Sequence, residues 1–289
     1  MNTSRRQLLA LAGIAPFATL AAAMQRAQAE GYRFGETPGE AWDIAAKAHE
    51  DLMAYPGLVM HGAEEIAMVC YEGMTMLDLV GPQYFFASMM GARVHLVSAD
   101  PELRPVQGDT GFAIVPTLAM ADCPGVLDIL FVPGGTMGTV RAMEDDGLID
   151  FIADRGSRAK HLTSVCTGSL ILGQAGFLDG KRATSHWATR HLLPEFGATP
   201  VNARVVQDGN VTTGAGVSAG LDFALALLAQ IRGRPYAEAI QLQAEYAPEP
   251  PFDAGSPDKI DPALGEPMHG MFAAALHAMR EAAANRKQR

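Results

Sequence analysis

The sequence predicts an α/β fold, a three-layer sandwich with helices over both faces of a mostly parallel central sheet. Three observations carry that expectation. Hydrophobic residues make up 48% of the 289 and charged residues 19%, the balance of a globular chain with a full core. Short runs such as IAMV at 66–69 and ILFV at 129–132 are apolar at consecutive positions, as strands buried on both faces are. These runs alternate with stretches of helical character, the pattern of parallel strands joined by crossover helices.

Taken in order, EIAMVCY (65–71) is the first strand and DLVGPQYFFASMMG (78–91) its helix. ARVHLVSA (92–99) and LDILFVPGG (127–135) follow as strands, then TVRAMEDDGLIDFIADRGSRA (139–159) as one helix. HLTSVC (161–166) runs into a helix beginning TGSLILGQAG, and KRATS (181–185) leads to a helix-like HWATRHLLPEFG. ARVVQDGNVTTGAG (203–216) differs, because Asp208-Gly209 between two β-rich arms marks a hairpin. VSAGLDFALALLAQIRG (217–233) is the last helix of this series. No internal repeat is visible. Upstream, GEAWDIAAKAHEDLMA (39–54) reads as an added helix. Downstream, the Pro- and Gly-rich 247–267 is expected to wrap the surface before a final helix within 269–287. The expected organisation is a signal peptide at 1–29, an N-terminal helical extension at 30–64, the α/β domain at 65–245, and a C-terminal wrapping tail and helix at 246–289.

The first segment has a basic start, an uncharged stretch from Leu8 to Met24 and Ala27-Gln28-Ala29 before Glu30, the order of an export signal. Arg5 and Arg6 side by side point to the twin-arginine route and machinery, and so to the periplasm. A retained anchor is the plainer alternative, although Pro16 and the many alanines weaken a spanning helix; no stable membrane insertion is expected after cleavage. The formal net charge of −10 argues against nucleic acid or an anionic membrane as a partner. In an oxidising compartment three cysteines leave at least one over, and a Cys70–Cys123 bridge stays open.

Cys166, in TSVCTGSL (163–170), occupies the corner between a strand and a helix. A thiol there is packing filler, a metal ligand, half of a disulfide or a nucleophile. Open parallel sheets place their sites beyond the carboxyl ends of the strands, where Cys166 falls. Ser164 and Gly168, two positions to either side, match the spacing of a G-x-S-x-G nucleophile elbow with cysteine at its centre. A helix start favours the thiolate and lowers a thiol pKa. A buried structural cysteine accounts for these features equally well. At the same sheet edge LDILFV ends in Pro133-Gly134-Gly135, and the N–H groups of Gly135 and Thr167 are placed to form an oxyanion-type hole. An ordinary strand-exit turn is the alternative. TTGAGVSAG (212–220) lacks both the Lys-Ser/Thr of a phosphate loop and the dinucleotide spacing; its small residues, Gly214 and Gly216 among them, would let a helix pack near Cys166. HWATRH is not the HExxH of zinc hydrolases, and no metal is indicated.

FVPGGTMG (131–138), TSVCTGSLILGQAGFLDGKRATSHWA (163–188), VTTGAGVSAGLDFAL (211–225) and QLQAEYAPEPPFDAGSP (241–257) together resemble the PfpI/ThiJ superfamily, whose members are class I glutamine amidotransferase-like. Within it the sequence is most similar to the isocyanide (isonitrile) hydratases, from about Glu65 to Asp258. The resemblance implies a flavodoxin-like sandwich, a homodimer, a small-molecule substrate and no cofactor. By position Cys166 matches the nucleophile, Thr167 the residue beside it, and Asp78 the acidic residue that approaches the thiol. Gly134, Gly135 and Gly168 would line the substrate site, with His186, Gly214 and Gly216 supporting it. The protease branch carries histidine directly after its cysteine; Thr167 here argues against peptidase chemistry. Asp78 also reads as a plain helix N-cap. Buried near a thiolate, its pKa would rise and make it a proton donor at neutral pH. The implied activity is that of a hydro-lyase: water adds to an isocyanide through a cysteine thioimidate, giving an N-substituted formamide. Alternatives are a glyoxalase- or deglycase-like enzyme, a redox-responsive protective protein, and a non-catalytic ligand-sensing domain. The resemblance implies a cytoplasmic enzyme, from which the export signal departs.

Overall fold

The computed structural model describes residues 35–286, so the expected signal peptide at 1–29 lies outside the described residues. The chain divides into two compact units, before and after His61. In the first, helix α1 (Pro38–Met53) starts at a reciprocal capping box: Glu40 N–H donates to Thr37 Oγ1, and Thr37 N–H to the Glu40 carboxylate. Pro38 follows the cap, where its missing N–H costs nothing.

In the second unit, seven strands form the central sheet. In chain order these are β1 (Glu65–Val69), β2 (Arg93–Ser98), β5 (Leu118–Ala119), β6 (Ile129–Val132), β7 (His161–Val165), β10 (Val205–Asp208) and β11 (Val211–Gly214). Their spatial order is β10-β11-β7-β6-β1-β2-β5, and every pairing is parallel except the β10–β11 hairpin. That hairpin turns through Gly209-Asn210, with Gly209 at φ +64°, left-handed backbone that glycine adopts without strain. Two small pairs lie outside this sheet, β3 (Val106–Gln107) with β4 (Ala113–Ile114) and β8 (Arg182–Ala183) with β9 (Thr199–Pro200). The central strands are buried throughout: Ile66, Met68, Ile129, Phe131, Leu162 and Val165 have no exposed area. Helices flank the sheet, as the flavodoxin-like expectation requires. From β1 the chain steps to β2 on one side, while β6 and β7 lie on the other. The order therefore reverses at β1/β6, where open parallel sheets open a crevice at their carboxyl ends.

Several helices depart from the sequence expectation. The first after β1, α2 (Met76–Ala87), begins two residues before Asp78 and continues through Pro82. The stretch expected as one helix at 139–159 is two, α3 (Met137–Glu144) and α4 (Asp146–Gly156). Asp145 interrupts it: its backbone is extended and its side chain accepts from Leu148 N–H, capping α4. α5 (Gly168–Gln174) follows β7 as expected. HWATRHLLPEFG contains no α-helix but a 3₁₀ segment, Arg190–Phe196, with Pro194 inside, and KRATS supplies only β8. α6 (Ala219–Arg232) packs against α2, Gly220 lying where a Cβ would come 3.2 Å from Pro82 Cγ, and α7 (Arg234–Gln243) follows. The tail contains an unforeseen helix, α8 (Pro262–Gly270), before α9 (Ala273–Arg286), and α9 packs on α3 and the 3₁₀ segment. All three cysteines are buried and unbridged, so no Cys70–Cys123 disulfide forms.

Candidate active site

Cys166 takes φ +59°, a left-handed conformation that is strained for a residue with a Cβ and is held by its surroundings. Its N–H is shared between the carbonyls of Gly214 (3.1 Å) and Ala215 (2.8 Å), at the end of the neighbouring β11. Its carbonyl accepts from Ser169 Oγ (3.1 Å) and Ser185 Oγ (3.0 Å). The elbow spacing has a visible cause at Gly168, where a Cβ would stand 2.3 Å from Val132 O and 2.7 Å from Pro133 O. Only glycine lets α5 start so close to β6.

Asp78 reaches the thiol from the first turn of α2. It is not the N-cap, a position held by Thr75, whose hydroxyl donates to Asp109 (2.6 Å) and caps nothing. Asp78 is fully buried, and its Oδ2 accepts from Gly134 N–H (3.0 Å). Oδ1 has no ordinary hydrogen-bond partner among the described residues, and the side chain that interacts with this carboxyl is Cys166. Burial raises the Asp78 pKa to about 7, against the opposing pull of Cys166 and Gly134 N–H. Burial and the Asp78 charge push the Cys166 thiol well above its usual value, while the N–H groups of Thr167 and Val217 favour its anion. The lowered thiol pKa expected from a helix start is therefore reversed: desolvation outweighs the helix terminus. The two groups titrate as a pair, and between about pH 7 and the raised thiol one proton remains between them, resting on the sulfur.

Thr167 ties the elbow to the Pro133-Gly134-Gly135 turn. Its Oγ1 accepts from Gly135 N–H (2.8 Å), donates to Gly135 O (2.6 Å) and lies 2.7 Å from Thr139 Oγ1, which in turn is 3.3 Å from Tyr71 OH. A Cβ on Gly134 would come within 2.6 Å of Thr167 and 2.8 Å of Asp78 Oδ2, so that glycine is where the two approach. The oxyanion hole expected from the N–H groups of Gly135 and Thr167 does not form in that way. Gly134 N–H serves Asp78, Gly135 N–H serves Thr167 Oγ1, and Thr167 N–H serves the Cys166 sulfur. These donors set the positions of the acid and the nucleophile.

The second donor to the sulfur, Val217, has φ +25°, an outlier for a β-branched residue. Gly216 beside it lies where a Cβ would be 2.6 Å from His186 Cδ2, and Gly214 where one would be 3.0 Å from Val165. His186 is pushed down to about 4 by burial and is neutral at pH 7; its Nδ1 accepts from Ala188 N–H (3.3 Å), leaving the proton on Nε2. Cys166, Thr167 and His186 share a cavity of ≈230 Å³.

The fold finds its match among known proteins. The model of the DJ-1/PfpI family matches residues 64–230. This chain belongs to that family. It is 50% identical over 202 residues to the isonitrile hydratase of Pseudomonas putida, covering 70% of this chain and 87% of that protein. The crystal structure of a ThiJ/PfpI family protein from Pseudomonas syringae superposes with a TM-score of 0.76 at 50% identity, over 78% of this chain and 93% of that one. The HTH-type transcriptional regulator GbdR of Pseudomonas aeruginosa is 31% identical over 150 residues, spanning 51% of this chain and 40% of that protein.

The structure of this DJ-1/PfpI member brings Cys166, Asp78, Thr167, Gly134, Gly135 and Gly168 together, with Gly214, Gly216 and His186 adjoining. Sequence reasoning missed Thr75, Asp109 and Thr136, which line the cavity from loops with no motif of their own. It also missed Thr139, whose hydroxyl reaches Thr167 across 28 residues of chain, and Tyr71, whose hydroxyl reaches Thr139 across 68. Phe272, Ala275, Leu276 and Met279 reach the cavity from the C-terminal end of the chain, and their spacing of three and four is the signal that would have found them.

Proposed function

We propose that the protein is a cofactor-independent isonitrile hydratase-like lyase, with Cys166 as nucleophile and Asp78 as its proton donor and acceptor. The observation that carries this proposal is the buried pair: one enclosed carboxyl beside one enclosed thiol, poised to hold a single proton between them. Identity to the P. putida isonitrile hydratase supports the choice of substrate. With the thiol raised further than the carboxyl, the single proton rests on Cys166, and the Asp78 carboxylate takes it as the sulfur becomes the attacking thiolate. The sulfur attacks the terminal carbon of R–N≡C, and that carbon takes the proton of Asp78, giving the thioimidate R–N=CH–S–Cys166. The Asp78 carboxylate removes a proton from water as its oxygen adds to the same carbon, then passes that proton to nitrogen. The hydroxyl of R–NH–CH(OH)–S–Cys166 returns a proton to Asp78 as the C–S bond breaks. The products are R–NH–CHO and the starting pair. Thr167 and Val217 N–H groups would stabilise the leaving thiolate, and Thr167 Oγ1 would hold the Gly134-Gly135 turn that orients Asp78.

Asp78→Asn tests this directly. Asparagine keeps a hydrogen-bonding side chain but carries no transferable acid proton, so formamide formation should fall by roughly 10²–10⁴-fold with the fold intact. Wild-type turnover in Asp78→Asn would remove the proton shuttle.

A further inference from the structure

The cavity at Cys166 is closed in part by the far end of the chain. Phe272, Ala275, Leu276 and Met279 follow the i, i+3, i+4, i+7 spacing of one helical stripe, and all four line the space that Cys166 lines. The stripe continues into buried Ala282 and Ala283, which seat α9, and Gln174 Nε2 reaches Ala282 O (3.4 Å). Of the charged side chains of α9, His277, Arg280 and Glu281 are exposed, and Arg286, half-buried, is the last residue of the helix and does not line the cavity. α9 therefore brings only apolar groups to the cavity. Polar lining comes from other segments: exposed Asp109, half-buried Thr75, Thr136 and His186, buried Thr189, and the elbow itself.

Resting on the hydratase proposal, we propose that α9 forms the subsite for the substituent R of the isonitrile, and that Ala275, Leu276 and Met279 select compact apolar groups. Size comes first. The cavity of ≈230 Å³ is smaller than the about 300–1,000 Å³ of pockets for drug-sized ligands, so a short alkyl chain or a single ring fits. Chemistry comes second. A polyhydroxylated or charged R group would lose its water against Phe272, Leu276 and Met279 and find no partner on α9. Met279, unbranched and buried at 2% exposure, can shift rotamer to follow the shape of R, whereas Ala275 marks the place where the helix leaves most room.

The test compares wild type, Leu276→Ala and Ala275→Leu in the full-length protein. For each, kcat/KM is measured with ethyl, tert-butyl, cyclohexyl and benzyl isocyanide. In parallel, Cys166 alkylation is timed with iodoacetamide and with N-benzyl iodoacetamide. Leu276→Ala should raise the benzyl-to-ethyl ratio of kcat/KM by about 10-fold or more, and Ala275→Leu should lower it by a similar factor, since one methylene-sized step in an apolar pocket changes discrimination by about 10–200-fold. The alkylation ratio of the large to the small reagent should move in the same directions. Should wild type turn over none of the isocyanides while the alkylation ratio still shifts, the subsite stands and the hydratase proposal falls. Turnover with neither ratio shifting in Leu276→Ala overturns the subsite, and that variant decides the matter alone if Ala275→Leu does not fold.

Discussion

At the scale of single residues, the functional pair is held in a condition that disfavours stability. Asp78 is buried with one oxygen unpartnered, and its pKa stands near 7 where an exposed aspartate would titrate near 3.8. A carboxyl whose folded pKa is raised keeps its full contribution to stability below the unfolded value. That contribution is lost as pH rises through the folded one. The wild-type protein should therefore lose stability from about pH 4 to pH 7 at this residue, by an amount on the order of a few kcal/mol. Asp78→Asn removes the titration. Its melting temperature should rise relative to that of wild type from about pH 4 to pH 7 and then level off, in the window below the raised thiol. A constant difference across that window would mean that Asp78 titrates as an exposed carboxyl. The same pair gives kcat/KM an ascending limb near pH 7, as two protons become one. Much of this was legible: Cys166 between Ser164 and Gly168 points to an elbow, and the family resemblance points to Asp78. The direction of the thiol shift was not, because spacing locates a helix start but does not reveal how completely the site is desolvated.

At the scale of elements, the site depends on segments that converge from distant parts of the chain, and buried polar contacts hold them in register. The C-terminal end of α6 is fixed by Arg232, fully buried, whose Nε donates to Glu64 (2.7 Å) just before β1 and whose Nη2 donates to Met90 O (3.0 Å) after α2. Its guanidinium also lies 5.4 Å from the centre of the Tyr236 ring. Arg232→Met leaves the Glu64 carboxylate without this partner, and an unfolding midpoint in urea should report a loss of about 3–5 kcal/mol. A loss below about 1 kcal/mol would mean that α6 is held by its apolar face alone. The helix boundaries show where sequence patterns stop informing. Residues 139–159 are helical in character throughout, yet Asp145 caps a second helix by accepting from Leu148 N–H. The alanine-rich α9 reads as a helix at once. Its inward face was hidden because alanines occupy several sides of it, and only Leu276 and Met279, with Phe272 just before the helix, separate that face from the rest.

At the scale of the whole molecule, consecutive apolar strands and interleaved helices were enough to foretell a parallel sheet flanked by helices, and the hairpin at Gly209 was signalled by its turn residues. What was not legible is which distant loops line the cavity, since Thr75, Asp109 and Thr136 carry no local pattern and meet only through strand order. We further propose that the molecule is exported folded by the twin-arginine route, on the strength of Arg5-Arg6 before an uncharged stretch. Changing Arg5 and Arg6 to Lys should leave a longer precursor in the cytoplasm, seen by fractionation and intact mass; undiminished export would end that proposal. The central claim, that Cys166 carries isonitrile hydration covalently, is tested most directly by the intact mass of the protein during turnover of cyclohexyl isocyanide, with formamide followed in the same samples. The expected result is an adduct of one isocyanide on wild type, absent together with formamide formation in Cys166→Ala. Formamide produced by Cys166→Ala at the wild-type rate would contradict it.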